Sequence, residues 1–252
     1  VSLNNPADGA VNVSYEPHLN VTVDDADSAE VNVTFIDASD DTVIRTTQEN
    51  ISTGSFASVR WGGITNNTSY EWYVNVTDPN ETTTSNTYTY TTEQASYAGG
   101  DGSQANPYEI STGQEVQDIQ GDLSASYELV NDVDCSNTTT WNNGQGFLPI
   151  GDRTYYPFTG GFDGSDHAIN DLYVNRSRNG TSFMRAAANS SFHDVVFNDL
   201  NIRFNGGSQS GRRGIIGIAT NTTIESVHVN GRVKSEARTP PAGVAGILEQ
   251  SK

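Results

Sequence analysis

The side chains of this 252-residue chain that could do chemistry are mostly carboxylates: Asp and Glu number 31, against 13 Lys and Arg and 4 His. The sequence holds no Gly-x-Ser-x-Gly elbow, no phosphate-binding loop, no dinucleotide fingerprint and no His-Glu-x-x-His helix. His18, His167, His193 and His228 share no repeat position, so a common zinc site is not expected. Three carboxylate groups remain. Asp171 and Asp194 fall one repeat apart in the register set out below, which suits a shared-proton pair or one edge of a calcium site. Asp163, Asp166 and His167 cluster within five residues. Asp24, Asp25 and Asp27 pattern like part of a calcium loop, without the ligand spacing of an EF-hand. Asp is also favoured wherever the chain turns, and each group has that plainer reading. On these grounds no catalytic, cofactor or metal residue is assigned; calcium is the one ion in prospect, and enzymatic activity stays open.

A second chemistry is modification. Asn-x-Ser/Thr sequons begin at Asn12, Asn20, Asn32, Asn50, Asn66, Asn67, Asn75, Asn80, Asn137, Asn175, Asn179, Asn189 and Asn221. A chain rich in Asn and Thr yields some by chance, but this density favours an exported glycoprotein. Cys135 is the single cysteine, so no internal disulfide forms, and an unreactive thiol is the expected role.

The formal charge is −18, Lys occurs only at Lys234 and Lys252, and the Arg are scattered. Nucleic-acid binding is excluded, because phosphate contacts need clustered cations. No apolar run reaches the length of a membrane span. The start, VSLNNPADG, carries neither an initiator Met nor a signal-peptide pattern, so a removed leader or a longer parent chain is expected. An acidic, Lys-poor, disulfide-free chain resembles proteins of extreme halophiles, whose surface carboxylates hold water in concentrated salt. The competing explanation is a calcium-rich extracellular module.

The elements that must position these residues are strands, and the chain reads as all-β. Over residues 1–93 period-two alternation dominates: Val11 and Val13; Leu19, Val21 and Val23; Val31, Val33 and Phe35; Tyr70, Trp72, Val74 and Val76; Tyr88 and Tyr90. This predicts an antiparallel β-sandwich with Asn20, Asn32 and Asn75 facing outward. Ile64 precedes Tyr70 by six positions, which resembles the tyrosine corner of the fibronectin type III and immunoglobulin-like modules. The Pro usual between them is missing, as is an Arg-Gly-Asp loop, so integrin-type recognition is not implied. Residues 94–106 read as a linker.

Over residues 107–252 a repeat of apolar-x-x-apolar-x-apolar-Asn emerges when Ile169, Phe192 and Ile224 are set in register. It stacks Leu172, Val195 and Val227, then Val174, Phe197 and Val229, then Asn175, Asn198 and Asn230 as a possible amide ladder. At Asn175 a ladder role and a glycan exclude each other. The segment Gly214 to Ala219 recurs at Gly243 to Leu248, and Val116, Ile119 and Leu123 suggest a short capping helix. These Gly-apolar-apolar-Gly segments, with AsnProTyrGluIle at Asn106 and PheThrGlyGlyPheAspGly at Phe158, resemble the GLUG-motif repeats of bacterial and archaeal surface proteins. That resemblance implies a right-handed parallel β-helix, with Asp163 and Asp166 in an admitting turn. The helix reads as unfinished at Lys252, so further turns or a partner surface are expected.

Three functions are compatible with this reading. The first is a non-catalytic exported surface glycoprotein, a stalk, filament or adhesin, whose partners are copies of itself or other surface proteins and glycans. The second is a carbohydrate-active β-helix enzyme, which would use Asp171 and Asp194 with Arg176, Arg178, Arg203, Arg212 and Arg213. The third is a viral attachment fibre.

Overall fold

The computed structural model describes residues 1–15, 17–151, 156–176, 181–204, 213–235 and 248–249, and they form two compact, predominantly β units, Val1–Ala95 and Ser96–Lys252. The first contains β1 (Ser2–Asn5), β2 (Ala10–Val13), β3 (His18–Thr22), β4 (Glu30–Asp37), β5 (Gln48–Ser52), β6 (Phe56–Arg60), β7 (Ser69–Thr77), β8 (Thr82–Thr84) and β9 (Tyr88–Thr92). One sheet runs β1-β3-β6 and the other β2-β9-β7-β4-β5, with β8 on β7; every pairing is antiparallel except β2 with β9. Alternate residues of β3, β4, β7 and β9 point inward, and Leu19, Val21, Val33, Phe35, Trp72, Val74 and Tyr90 join one core. Tyr70 packs on Trp61 and Tyr90, with ring centroids 5.2 and 5.8 Å away, and its hydroxyl accepts a 2.8 Å hydrogen bond from the Thr65 N–H.

Strand β2 departs from the alternation read in the sequence. Val11 is 68% exposed, because Asn12 takes a left-handed conformation (φ 55°) and the register with β9 slips between Ala10 and Val13. A bulge of this kind inserts an unpaired residue and turns the next side chain over.

The second unit opens with β10 (Tyr108–Ile110) and α1 (Gly113–Asp118), which continues as a 3₁₀ turn to Gly121. Thr112 and Glu115 form a reciprocal capping box. From α1 and the 3₁₀ turn, Gln117 and Gln120 clamp the backbone of Leu148, Pro149 and Gly151 through paired amide bonds of 2.6–3.1 Å. Then come β11 (Ser126–Leu129), β12 (Val133–Asp134), β13 (Gly161–Asp163), β14 (Ala168–Asn170), β15 (Tyr173–Arg176), β16 (Thr181–Met184), β17 (Ala187–Ala188), β18 (Ser191–Phe204), β19 (Arg213–Ile216), β20 (Ala219–Thr220), β21 (Thr223–Ser235) and β22 (Leu248–Glu249).

Their pairings are all parallel. Tyr108, Tyr127, Phe162, Phe192 and Ile224 are successive register partners, and so are Val133, Ile169, Phe197 and Val229. Met184 pairs with Ile216, and Ala187, Ala219 and Leu248 stack in turn. The chain thus passes repeatedly over the same course, stacking equivalent residues one strand spacing apart. Rings fill the interior: Phe162 and Phe192 stack at 5.0 Å, Phe147 and Phe183 at 5.6 Å. Corners are turned by residues with positive φ, among them Asp171, Asn189, Asp194, Asp199, Asn221 and Ser226. At Gly160 a Cβ would collide with the carbonyl of Ala125 in the preceding pass, so only glycine fits.

This register corrects part of the repeat. Phe192 does pair with Ile224, Val195 with Val227 and Phe197 with Val229, and Ala219 lies against Leu248 as the echoed segments require. Ile169, however, pairs with Phe197 rather than Phe192, whose partner is Phe162, 30 residues earlier. A spacing of 23 matched the local apolar pattern but left Phe162 without its aromatic partner.

Candidate functional site

The corrected register separates Asp171 from Asp194. Asp171 follows Asn170, the partner of Asn198, so its equivalent in the next pass is Asp199, and both take left-handed corners (φ 58° and 52°). The acid-pair reading of Asp171 with Asp194 therefore fails. Asn175 pairs with Arg203 and Asn198 with Asn170, whose Oδ1 accepts from Asn198 Nδ2 at 3.1 Å, so Asn175 leaves the predicted ladder and its conflict with a glycan disappears.

Two polar clusters form among the described residues. In the second unit the outward positions beside the aromatic stack carry Glu109, Glu128, Asp163, His193 and Glu225 on successive strands. His193 Nδ1 lies 2.9 Å from Asp194 Oδ2 and 3.4 Å from Asp163 Oδ1. Hydrogen bonds from His193 and then Ser226 hold the Asp194 carboxyl below the usual range, while Asp163 Oδ1 accepts from the Ser165 N–H at 2.8 Å. Nearby, Asp132 faces solvent and ties one pass to the next, accepting from Ala168 N–H at 2.9 Å with His167 Nδ1 at 3.4 Å. Asp163, His193 and Asp194 bring donor atoms of metal-ligating type within 4.8 Å of one another. These carboxylates orient corners and join neighbouring passes.

In the first unit the second cluster joins Asp25 and Asp27 with Asp78, which the sequence reading did not include, whereas Asp24 turns to the Thr53 hydroxyl at 3.1 Å. Asp25 accepts the backbone N–H of Asp27 and Ser28, and the latter bond first, then the former, lower its carboxyl. Asp27 is raised by the bond it shares with Asp25 and by that neighbour's charge. Asp78 accepts the Ser28 hydroxyl at 2.6 Å and two backbone N–H groups of its own turn. A calcium ion there would compete with these donors for the same oxygens.

Cys135 is fully buried, and burial, with the Asp134 and Asp171 charges, pushes its thiol up to about 12, so it is no nucleophile. Arg176 reaches across to Gln145 Oε1 and to the carbonyls of Gly146 and Phe147, and Arg203 lies 5.7 Å over the Tyr173 ring. Arg178, Arg212 and the side chain of Arg213 lie outside the described residues, as does Asn179.

The sequons spread over both units. Asn12, Asn32, Asn50, Asn67, Asn80, Asn137, Asn189 and Asn221 are exposed; Asn20, Asn66, Asn75 and Asn175 are half-buried. Asn20 Oδ1 accepts from Asn4 Nδ2 at 3.1 Å and Asn75 Oδ1 from the Thr84 hydroxyl at 2.7 Å, so both lie along the outer face of their sheet. Asn221 Nδ2 donates to Asn189 Oδ1 at 2.8 Å, a pairing outside the sequence-based expectations. The signal was present, since these two sequons stand at the same spacing as Phe192 and Ile224.

Among known proteins, Halomucin of Haloquadratum walsbyi is 38% identical to this chain over 97 residues, a match covering 36% of the chain and 1% of Halomucin. The chain therefore spans about 1% of the length of the curated relative it matches. No protein-family model matches the chain, and no solved structure does. No helix among the described residues is long and apolar enough to cross a membrane.

Proposed function

We propose that this chain is part of a non-catalytic, exported surface glycoprotein of a halophilic archaeon, in which a fibronectin III-like β-sandwich leads into a GLUG-type right-handed parallel β-helix acting as stalk, filament or adhesive face. The observation that carries the reading is the in-register stack of parallel strands in the second unit, with a filled aromatic interior and corners set by Asp, Asn and Ser. Such an array is a stiff rod whose outer surface is free for contact. The Thr65–Tyr70 bond supports the sandwich reading. A charge of −18, the exposed sequons and the similarity to a protein named Halomucin support the halophilic, extracellular setting. Partners in this reading are copies of the same chain or other surface proteins and glycans.

The test is to secrete the chain from a haloarchaeal host, measure its intact mass and image it by negative stain. A mass well above 27.1 kDa and elongated or end-to-end particles are expected. An unmodified, isolated globule that cleaves polysaccharides, and stops doing so on Asp163→Ala, would overturn the reading in favour of an enzyme.

A further inference from the structure

We infer that Asn189 and Asn221 form a single glycan position, with the sugar on Asn189; this rests on the glycoprotein reading above. The two sequons, AsnSerSer at 189–191 and AsnThrThr at 221–223, lie on top of each other. Ser191 and Thr223 are register partners, Thr223 N–H donates to Ser190 O at 3.0 Å, and Asn189 N–H donates to Thr220 O at 3.0 Å. The middle residues are buried, and their hydroxyls, Ser190 Oγ and Thr222 Oγ1, meet at 3.1 Å. This pins both sequon backbones. Both asparagines turn the same corner in left-handed conformations (φ 50° and 46°), stand exposed, and are joined by the 2.8 Å bond from Asn221 Nδ2 to Asn189 Oδ1.

Two consequences follow from that geometry. Side chains held one strand spacing apart leave no room for a hexose on each, because a pyranose with its substituents is wider than the gap between strands. The two amide nitrogens also differ: Asn221 Nδ2 is committed to its neighbour, whereas Asn189 Nδ2 makes no hydrogen bond among the described residues. In N-glycosylation by a lipid-phosphate-linked oligosaccharide, the amide nitrogen bonds to the anomeric carbon, the carbon–oxygen bond to phosphate breaks, the phosphate leaves with that electron pair, and one amide proton is released. The nitrogen free to attack is that of Asn189.

The test is quantitative glycopeptide mapping of the chain secreted from a haloarchaeal host, alongside Thr223→Ala and Asn189→Gly variants. Glycine suits the left-handed corner and removes both the sugar and the Oδ1 acceptor, so folding is kept. In the unsubstituted chain, occupancy at Asn189 should exceed that at Asn221 several-fold, and the two should sum to no more than one glycan per chain. Thr223→Ala should leave the Asn189 glycan unchanged, and Asn189→Gly should raise Asn221 occupancy several-fold. Comparable occupancy at both sites, a bare pair amid modified sequons, or an Asn221 that stays bare in Asn189→Gly would overturn the inference and leave the glycoprotein reading standing. A chain with no sequon modified would overturn that reading too.

Discussion

Asp118 and Asp194 belong to the same unit and are pushed in opposite directions. Burial at the end of α1 raises the Asp118 carboxyl above its ordinary value, against the 2.8 Å bond from Gln114 Nε2, and the Glu115 charge adds to the rise. A raised folded value means that the group's contribution is fully present below the unfolded value, about 3.9, and is lost as pH climbs through the folded one. Asp118→Asn should therefore unfold at higher denaturant concentration than the unsubstituted chain at neutral pH, with the gap closing toward pH 3. Asp194, held low by His193 and Ser226, has the reverse dependence: its contribution is present above the unfolded value and lost as pH falls through the folded one. Asp194→Asn, which tolerates the left-handed corner, should cost stability at neutral pH and nothing in acid. Denaturant titrations from pH 3 to 8 check both signs, and parallel curves for the two variants would refute the assignment.

At the scale of elements, the strands of the second unit are individually short, and stability comes from stacking side chains of successive passes. Phe192 shows how: it is 1% exposed, stacks on Phe162 at 5.0 Å and lies 6.1 Å from Phe183. Phe192→Ala should cost about 3–5 kcal/mol by loss of transfer energy and the cavity left behind. Since Phe192 belongs to the core of the second unit and the first has its own, denaturant unfolding should show the loss in one transition alone. A uniform shift of all transitions would contradict separate cores. The same element scale explains why the register was misread. An apolar-x-x-apolar-x-apolar pattern recurs at several offsets, and parallel pairing chooses among them by which aromatic rings meet inside. Phe162 decides the offset of 30, but in the sequence it stands inside a turn-rich stretch, GlyGlyPheAspGly, where local pattern gives it no weight.

For the whole molecule, the dominant variable is charge. A net −18 repels itself at low ionic strength, where the screening length is about 10 Å at 0.1 M salt, and is screened to about 3 Å at 1 M. The unfolding midpoint should rise steeply between these conditions and continue upward in molar KCl. Cys135 supplies an internal reporter, since its buried thiol reacts with a disulfide reagent only when the second unit opens. Labelling should be fast at low salt and suppressed at high salt. A midpoint and labelling rate indifferent to KCl would sink the halophilic interpretation.

Composition and local pattern by themselves determined the predominantly β class, the acidic charge, the inert cysteine and the strand positions around Leu19, Val33, Trp72, Phe197 and Val229, because these depend on residue type and on an alternation that survives without knowledge of neighbours. The short helix was equally legible in the spacing of Val116, Ile119 and Leu123, whereas its Thr112–Glu115 capping box emerged with the structure. Only the tertiary structure decided which side chains meet. Asp78 meets Asp25 and Asp27 because β4 and β7 pair antiparallel, and Asp163 meets His193 across 30 residues because of the number of residues each corner absorbs before the next strand begins. A left-handed Asp, Asn or Ser takes up a residue without altering the apolar pattern, so the count that sets register leaves little trace in local sequence, while a slip of a few positions exchanges every outward neighbour.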